Sequence, residues 1–286
     1  MLTRRLITDA VATALAEDAP WGDVTAEYVL PADATAAAAL VARADGVFCG
    51  ADVVVETFRQ VDPRTQVVLE ALDGETVAAG QRLASVRGPA RGMLTAERVA
   101  LNFAQRMSGI ATLTSRYVQA VAGTAARIVD TRKTTPGLRA LEKHAVVAGG
   151  GANHRFGLSD AVMLKDNHLA VLQDGGTDLV EALRALRRRL GHTVHLEVEI
   201  DRLDQLDAAL EGGADTIMLD NFSVEDLTEG VRRVGGRAVV EASGGVDLTT
   251  VAGIARTGVD VISAGALTHS VTALDLALDV VLAPRS

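Results

Sequence analysis

The stretch ARIVDTRKTTPGLRALEKHAVVAGGGANHRFGLSDAVMLKDNH (126–168) decides the fold, because it contains one full period of a pattern that recurs downstream. A short apolar run ends in polar residues, a helix-like segment follows, and a second apolar run again ends in polar residues. Four further runs have this form: TVHLEVEID (193–201), DTIMLDN (215–221), AVVEASGG (238–245) and DVISAGA (260–266). Alternating strands and helices are typical of a parallel sheet, and about six such units predict an open, incomplete (β/α) barrel.

The segments on either side of these repeats differ in pattern. Residues 3–16 have the spacing of an amphipathic helix, and 94–122 predict one or two further helices. Between them, residues 35–90 contain short β-like runs separated by glycine and aspartate turns, which indicates a small, mostly antiparallel unit. A last helix over about 269–286 is expected to pack onto this N-terminal part. The chain as a whole is therefore predicted to be an α/β protein.

The composition excludes several classes of protein. The net charge of −9 argues against nucleic acid and anionic membranes as partners. Cys49 is the single cysteine, so neither an intrachain disulfide nor a cysteine-based metal cluster is expected. The first residues lack the uninterrupted apolar core of a signal peptide, and no run reaches the length of a membrane span. We expect a cytoplasmic protein with no membrane partner.

The lysines are concentrated in one place. Of 28 lysines and arginines only three are lysines, and all three lie between Lys133 and Lys165. Residues 130–168 contain six of these cations against four carboxylates, in a protein that is acidic overall. A compact lysine ammonium differs from the rigid arginine fork in how it binds anions and in how readily its pKa shifts. This distribution predicts a cationic pocket for a small, highly anionic ligand.

Polar residues follow each of the six predicted strands. They are Asp130-Thr131-Arg132-Lys133, Lys165-Asp166-Asn167, Glu197 with Glu199, Asp220-Asn221, Ser243-Gly244-Gly245 and Ala264-Gly265-Ala266. Because the active site of a (β/α) barrel lies at the carboxyl ends of its strands, these groups should converge. The glycine turns suit a phosphate, and Glu199 and Asp220 suit ribose hydroxyls or Mg²⁺.

Some of these residues are easier to assign to function than others. Lys165 ends an apolar strand in a parallel sheet, where an unpaired charge is costly, so we favour a functional role for it. His154 and Arg155 lie in a glycine-rich loop too polar for a core. Glu197 and Glu199 share one face of a strand, and we favour Glu199 because it is nearer the strand end.

For other polar residues a structural explanation competes with a functional one. Lys143 and His144 lie on a predicted helix, 138–148, where a solvated face is the default. His168 is explained as a helix cap or as support for a neighbouring residue, and His192 and His195 flank a strand start away from the predicted site. Asp220 could cap the following helix, and Ser243–Gly245 could be only a turn.

Several of these motifs together resemble one enzyme family. The run from Asp130 to His168, with EVEID, IMLDNF, EASGGV and GVDVISAGALTHS, closely resembles quinolinate phosphoribosyltransferase. The similarity extends through EDAPWGDVT (17–25) and ERVALNFAQRMSGIAT (97–112), and so covers essentially the whole chain.

The resemblance implies both a domain organisation and a reaction. It implies an N-terminal α/β sandwich domain, 1–108, and an incomplete α/β barrel catalytic domain, 109–268. It also implies Mg²⁺-dependent phosphoribosyl transfer from phosphoribosyl pyrophosphate to quinolinate with decarboxylation. The products are nicotinate mononucleotide, pyrophosphate and CO₂, in NAD biosynthesis. Members of this family are at least dimers, in which the N-terminal domain of one subunit covers the barrel mouth of the other.

The resemblance also implies individual residue roles. Arg98 would reach the substrate of the neighbouring subunit, and Glu199 and Asp220 would bind ribose and metal. The quinolinate pocket would contain Arg132, His154, Arg155 and Lys165, with Thr131 and Lys133 beside them. The phosphate side would contain Ser243, Gly244, Gly245, Ala264, Gly265, Ala266 and His269. Either Glu199 or Asp220 would stabilise an oxocarbenium-like transition state, and either Lys133 or Lys165 would protonate the ring carbanion.

Three other functions remain to be compared with this one. A strand-end lysine among carboxylates also fits a Schiff-base aldolase with Lys165 as nucleophile. An enzyme acting on nicotinate would need fewer cations, because its substrate has one carboxylate fewer. A non-catalytic binding protein could use the same scaffold.

Overall fold

The computed structural model describes residues 2–173 and 176–282, which form two compact units. The first unit contains the chain up to Ser115, the segment Thr134–Gly150 and the chain from Ser270 onward; the second contains Arg116–Lys133 and Gly151–His269. The helices are α1 (Arg4–Asp18), α2 (Val24–Val29), α3 (Ala51–Val61), α4 (Ala90–Ala120), α5 (Arg139–Ala148), α6 (Asp166–Leu172), α7 (Leu179–Arg189), α8 (Leu206–Glu211), α9 (Val224–Val234), α10 (Val251–Arg256) and α11 (Ala266–His269). The strands are β1 (Thr35–Ala42), β2 (Gly46–Val47), β3 (Gln66–Leu69), β4 (Thr76–Val77), β5 (Arg82–Pro89), β6 (Arg127–Val129), β7 (Val162–Leu164), β8 (Leu196–Ile200), β9 (Thr216–Asp220), β10 (Val239–Ser243), β11 (Val261–Ser263) and β12 (Leu276–Leu282).

The first unit is built on a four-stranded antiparallel sheet. Its strand order is β12-β1-β5-β3, and β2 and β4 form a separate antiparallel pair. Helix α3 contributes Val54 and Phe58 to the same buried core as Phe48, Leu83 and Met93. The predicted antiparallel N-terminal unit is thereby confirmed.

Two glycines let distant segments pack closely against α4 in the first unit. A Cβ atom at Gly109 would lie 2.3 Å from the carbonyl oxygen of Thr272, and one at Gly149 would lie 2.3 Å from that of Ala111. Neither approach leaves room for a side chain. These contacts explain why 134–150 and the C-terminal segment belong to the first unit. The predicted boundary between 108 and 109 falls inside α4.

The predicted helix over about 269–286 is wrong. Within the described part of that range, the main element is β12, which pairs antiparallel with β1. Leu276 is buried, and Leu278 and Val280 pack against the core, so the apolar positions repeat every two residues. The strand also covers an edge of β1 that would otherwise present unpaired backbone groups. Pairing with β1 therefore overrides the local helical spacing.

The expectation of a solvated face on α5 is also wrong. Lys143 is only 2% exposed, and His144 is half-buried. The Nε2 atom of His144 lies 2.7 Å from Oδ2 of Asp73, whose Oδ1 accepts hydrogen bonds from the N–H groups of Gly50 and Ala51 at the start of α3. His144 therefore has a structural partner inside the first unit.

The second unit is a six-stranded, all-parallel sheet in the order β6-β11-β10-β9-β8-β7. Since β6 and β7 are the two ends of this order, the predicted open barrel with about six strands is confirmed. Leu196, Val198 and Ile200 are buried on one face of β8, and the two glutamates between them, Glu197 and Glu199, lie on the other.

Across the described residues, no helix combines the length and the apolarity that crossing a lipid bilayer requires.

Candidate active site

A cavity of about 440 Å³ lies at the carboxyl ends of the parallel strands in the second unit. Its walls contain residues from all six strand ends or the turns that follow them. The lining residues are Thr131, Arg132, Lys133, His154, Arg155, Met163, Lys165, Glu199, Met218, Asp220, Ser243 and Ser263. Cations and carboxylates thus line one space that is large enough for a small ligand.

The cationic wall is held by hydrogen bonds at its base. After β6, the N–H of Lys133 donates to Oγ1 of Thr131 at 3.0 Å, and the hydroxyl of Thr268 donates to the carbonyl oxygen of Lys133 at 2.7 Å. The guanidinium of Arg155 donates to the carbonyl oxygen of Ala161 at 3.2 Å. These bonds fix the main chain of Lys133 and the guanidinium of Arg155.

The carboxylate wall begins at β8 and continues onto β9. Lys165, which follows β7, forms an ion pair with Oε2 of Glu199. Asp220 ends β9, and its Oδ2 accepts a hydrogen bond of 2.7 Å from Nδ2 of Asn221. Because the Lys165 side chain is 46% exposed, its ion pair adds little to stability and leaves the ammonium accessible to a ligand.

Two buried glutamates that are not part of the cavity lining contact His154, which is. Nε2 of His154 is 3.2 Å from Oε2 of Glu197 and 3.5 Å from Oε2 of Glu241, and both glutamates are 3% exposed. Their Oε1 atoms are buried without a hydrogen-bond partner among the described residues. Two buried carboxylates share the Nε2 atom of His154, so this cluster favours positive charge on the His154 ring.

The same cluster sets the charge of His154. Burial opposes the charged ring, but hydrogen bonds and charge from Glu197 and Glu241 outweigh it and raise the pKa of His154 from 6.5 to about 10. The N–H of Arg155 points at Nδ1 from 2.7 Å, which favours the neutral ring. The carboxylates prevail because two full charges lie within about 3.5 Å, so His154 is a cation at neutral pH.

Two glycine turns directly follow Ser243 and Ser263, which line the cavity. Gly244 and Gly245 have φ angles of 87° and 59°, in the left-handed region that favours glycine. At the other turn, a Cβ atom on Gly265 would lie 2.9 Å from Cδ of Lys133 and 3.1 Å from the ring of His269. The absence of a side chain at 265 therefore lets Lys133 and His269 pack beside this turn.

Two family models cover nearly the whole chain. The model described as the C-terminal domain of quinolinate phosphoribosyl transferase matches residues 110–279, and the model of the N-terminal domain matches residues 23–108. The chain belongs to the quinolinate phosphoribosyltransferase family. The resemblance found in the sequence is confirmed.

Individual relatives of this family agree in sequence and in structure. The chain is 45% identical to the nicotinate-nucleotide pyrophosphorylase [carboxylating] of Mycobacterium leprae, over 95% of this chain and 96% of that protein. It is 43% identical to the probable enzyme of the same name from Bacillus subtilis, with 94% and 92% covered. The structure of the Francisella tularensis nicotinate-nucleotide pyrophosphorylase matches with a TM-score of 0.91 and 38% identity, covering 98% of both chains.

The cavity brings together many of the residues that the sequence analysis proposed for a quinolinate phosphoribosyltransferase site. Glu199 is part of its lining, whereas Glu197 is not and contacts His154 instead. Gly244, Gly245, Ala264, Gly265, Ala266 and His269 belong to the turns and short helix of the second unit rather than to the lining. Arg98 lies elsewhere, exposed on α4 of the first unit, beside a depression formed with Asp23 and Thr95.

Three of the histidines with structural explanations, His168, His192 and His195, lie outside the cavity lining. Nδ1 of His168 accepts a hydrogen bond of 3.0 Å from the N–H of Lys165, at the start of α6. His195 contacts Oγ1 of Thr216 at 2.8 Å, and neither it nor His192 lines the cavity. His168 is therefore a cap that also supports Lys165.

The sequence analysis missed several residues of the site. Met163, Met218 and Ser263 line the cavity, and Glu241 contacts His154. Period-two alternation could have identified Glu241, because it shares a strand face with Ser243 in the same way that Glu197 shares one with Glu199. The methionines gave no such signal, since an apolar residue inside a barrel is usually part of the core.

Replacing Glu241 with glutamine should lower the pKa of His154, because one of its two carboxylates is removed. The charged ring exists below its pKa, so it will be lost at a lower pH in Glu241→Gln than in the wild type. We therefore expect the affinity for an anionic ligand to begin to fall at a lower pH in this variant than in the wild type. NMR titration of the His154 ring, with ligand affinity measured against pH, tests this.

The control is Glu229→Gln, which removes a carboxylate from the surface of the same unit, where it pairs with Arg232. It should leave the His154 titration unchanged. An unaltered titration in Glu241→Gln would contradict the role given to the buried cluster.

Proposed function

We propose that this protein transfers the phosphoribosyl group of phosphoribosyl pyrophosphate to quinolinate and decarboxylates the product to nicotinate mononucleotide, for NAD biosynthesis. The observation that supports this most strongly is the pairing of a cationic wall with a carboxylate wall in one cavity. Relatives with closely similar sequences are named quinolinate phosphoribosyltransferase [decarboxylating] or nicotinate-nucleotide pyrophosphorylase [carboxylating].

The cationic wall suits a pyridine with two adjacent carboxylates. Arg132 and Arg155 offer planar forks that can bind carboxylates bidentately, and Lys133, Lys165 and charged His154 add further positive charge. Met163 and Met218 offer polarizable sulfur atoms for a planar aromatic ring. A substrate with a single carboxylate would leave part of this charge uncompensated, which favours quinolinate over nicotinate.

The carboxylate wall suits the phosphoribosyl group and Mg²⁺. Glu199 and Asp220 also line a second cavity of about 350 Å³, and Asp166 and Asp201 are further residues of its lining. Carboxylate oxygens are the ligands that Mg²⁺ prefers, so the donor set fits the ion, with Glu199 and Asp220 as its protein ligands. When bound, Mg²⁺ would neutralise the departing pyrophosphate. The turns at Ser243–Gly245 and Ala264–Ala266, with His269, would receive phosphate groups.

The protein's side chains then need mainly to position the two substrates and to stabilise the charges that develop during the reaction. The ring nitrogen attacks the anomeric carbon while the bond to pyrophosphate breaks, and Glu199 or Asp220 stabilises the positive charge that develops on the ribose. The resulting pyridinium accepts the electron pair left when the 2-carboxylate departs as CO₂. A proton from Lys133 or Lys165, directly or through water, replaces the lost carboxylate.

A shared site between two subunits is the second part of the proposal. The segment that borders Arg98 exposes Trp21, Val24 and Tyr28, with Trp21 92% exposed. Large exposed aromatic side chains are typical of surfaces that bind another protein. We propose a homodimer in which this surface covers the barrel mouth of the partner and Arg98 reaches its quinolinate. The cytoplasmic location expected from the sequence stays a prediction.

The aldolase alternative is less compatible with the site. A Schiff-base aldolase needs Lys165 as its nucleophile, but it gives no role to the other cations of the cavity, which are Arg132, Lys133, His154 and Arg155. Only a measurement of turnover distinguishes an enzyme from a non-catalytic binding protein with the same site.

An assay of the purified protein tests the proposed function. With quinolinate, phosphoribosyl pyrophosphate and Mg²⁺, we expect equal amounts of nicotinate mononucleotide, pyrophosphate and CO₂. Nicotinate in place of quinolinate should give at most trace product. Binding of quinolinate without turnover, or faster turnover of nicotinate, would contradict the proposal.

A further inference from the structure

Asn221 has an unusual backbone conformation at the edge of the candidate site. Its φ angle is 62°. Within residues 2–173 and 176–282, it is the only residue other than glycine that has a positive φ. It lies in the short connection between the end of β9 at Asp220 and the start of α9 at Val224. Asparagine tolerates the left-handed region better than most residues, but it still adopts this conformation at a cost that other contacts must offset.

Two hydrogen bonds hold Asn221 in this conformation. Its side-chain Nδ2 donates to Oδ2 of Asp220 at 2.7 Å, and its main-chain N–H donates to the carbonyl oxygen of Ser243 at 2.8 Å. An ionised carboxylate can only accept, so the amide must present its nitrogen to Asp220. Asn221 is therefore bonded to a carboxylate of the cavity wall and to the glycine turn on the neighbouring strand.

Gly244 fits tightly against the same side chain. A Cβ atom at 244 would lie 2.1 Å from Oδ1 of Asn221 and 2.8 Å from its main-chain nitrogen. Asp220 and Ser243 are also paired in register on adjacent parallel strands. The ends of β9 and β10 are thus joined at one point, and Asn221 is the residue that joins them.

We propose that Asn221 is a positioning residue for phosphoribosyl transfer, which orients the Asp220 carboxylate relative to the Ser243–Gly245 turn. This inference rests on the proposed function, in which Asp220 binds the ribose side and the turn binds phosphate. The amide occupies Oδ2 of Asp220 and leaves Oδ1 for the ligand. It also prevents the carboxylate from rotating, so that the carboxylate and the turn keep a fixed separation.

The proposed role of Asn221 predicts different effects on the two substrates, phosphoribosyl pyrophosphate and quinolinate. Losing a residue that orients a metal-binding carboxylate, the role proposed for Asp220, typically costs about 10- to 100-fold in metal affinity or activity. Asn221 contacts the carboxylate and glycine-turn side, whereas Arg132 and Arg155 form the cationic wall. We therefore expect kcat/KM for phosphoribosyl pyrophosphate to fall while the affinity for quinolinate is retained.

Two variants at this position serve as a matched pair. Asn221→Gly keeps the backbone conformation without strain and removes the amide. Asn221→Asp keeps the shape but places a second carboxylate against Asp220. We expect kcat/KM for phosphoribosyl pyrophosphate to fall about 10- to 100-fold in Asn221→Gly and at least as far in Asn221→Asp. Calorimetry should show quinolinate binding within about twofold of the wild type, and thermal unfolding should show both variants folded.

A double-mutant cycle with Asp220→Ala tests whether Asn221 acts through Asp220. If it does, Asn221→Gly should change kcat/KM by less than about twofold in the Asp220→Ala background. An equal further loss in that background would overturn the inference, and so would equal losses for both substrates in Asn221→Gly. Wild-type kinetics in Asn221→Gly alone would overturn it while leaving the proposed function intact. Wild-type kinetics in Asp220→Ala would instead contradict the proposed role of Asp220 and with it this inference.

Discussion

Lys165→Ala should lower kcat/KM for quinolinate by about 10²- to 10³-fold, the usual effect of removing one group that stabilises charge in an active site. Two consequences of the substitution act in the same direction. The cavity loses a cation that faces the anionic substrate, and Glu199 loses its ion-pair partner. An unpaired carboxylate then repels the incoming anion, so the loss should exceed that from one missing hydrogen bond. Steady-state kinetics with each substrate varied in turn measure the effect.

The matched control for this variant is Arg188→Ala. Arg188 is exposed on α7 of the same unit and is absent from the cavity lining, so its removal changes the net charge equally. It should leave kcat/KM within about twofold of the wild type, because Arg188 is exposed and dissolved salt screens its charge. Equal losses in the two variants would indicate general electrostatic attraction rather than a role at the site.

The strand ends were predictable because one pattern determines both fold and site. Apolar runs that end in polar residues define the strands, and parallel connectivity places their carboxyl ends at one edge. Thus the sequence alone predicts that Lys165, Glu199 and Asp220 lie at one cavity. Their approach to one another follows from topology alone.

Features that depend on distant partners could not be predicted in this way. The segment at 276–282 is a strand because β1 offers an edge more than 200 residues earlier in the chain. Lys143 is buried because of what packs around α5, which helical spacing alone does not show. The left-handed conformation of Asn221 depends on Ser243 and Gly244, on the next strand of the sheet.

A shared active site predicts that two inactive variants restore activity when their subunits exchange. Arg98→Ala should lose quinolinate binding while remaining folded and dimeric, because Arg98 is exposed on the surface of α4. In a mixed dimer with Lys165→Ala, one site combines both substitutions and the other contains both wild-type residues. Random exchange of equal amounts makes half of the dimers mixed, so about a quarter of wild-type activity should return.

The control for this experiment mixes Lys165→Ala with Arg132→Ala. Both residues belong to the same cavity in the second unit, so every site in a mixed dimer lacks one of them and no activity should return. Mixed dimers can be counted independently by native mass spectrometry of differently tagged subunits. If mixed dimers of Arg98→Ala and Lys165→Ala form but remain inactive, Arg98 does not act across the interface. If Arg98→Ala shows wild-type kinetics by itself, Arg98 is not part of the site at all.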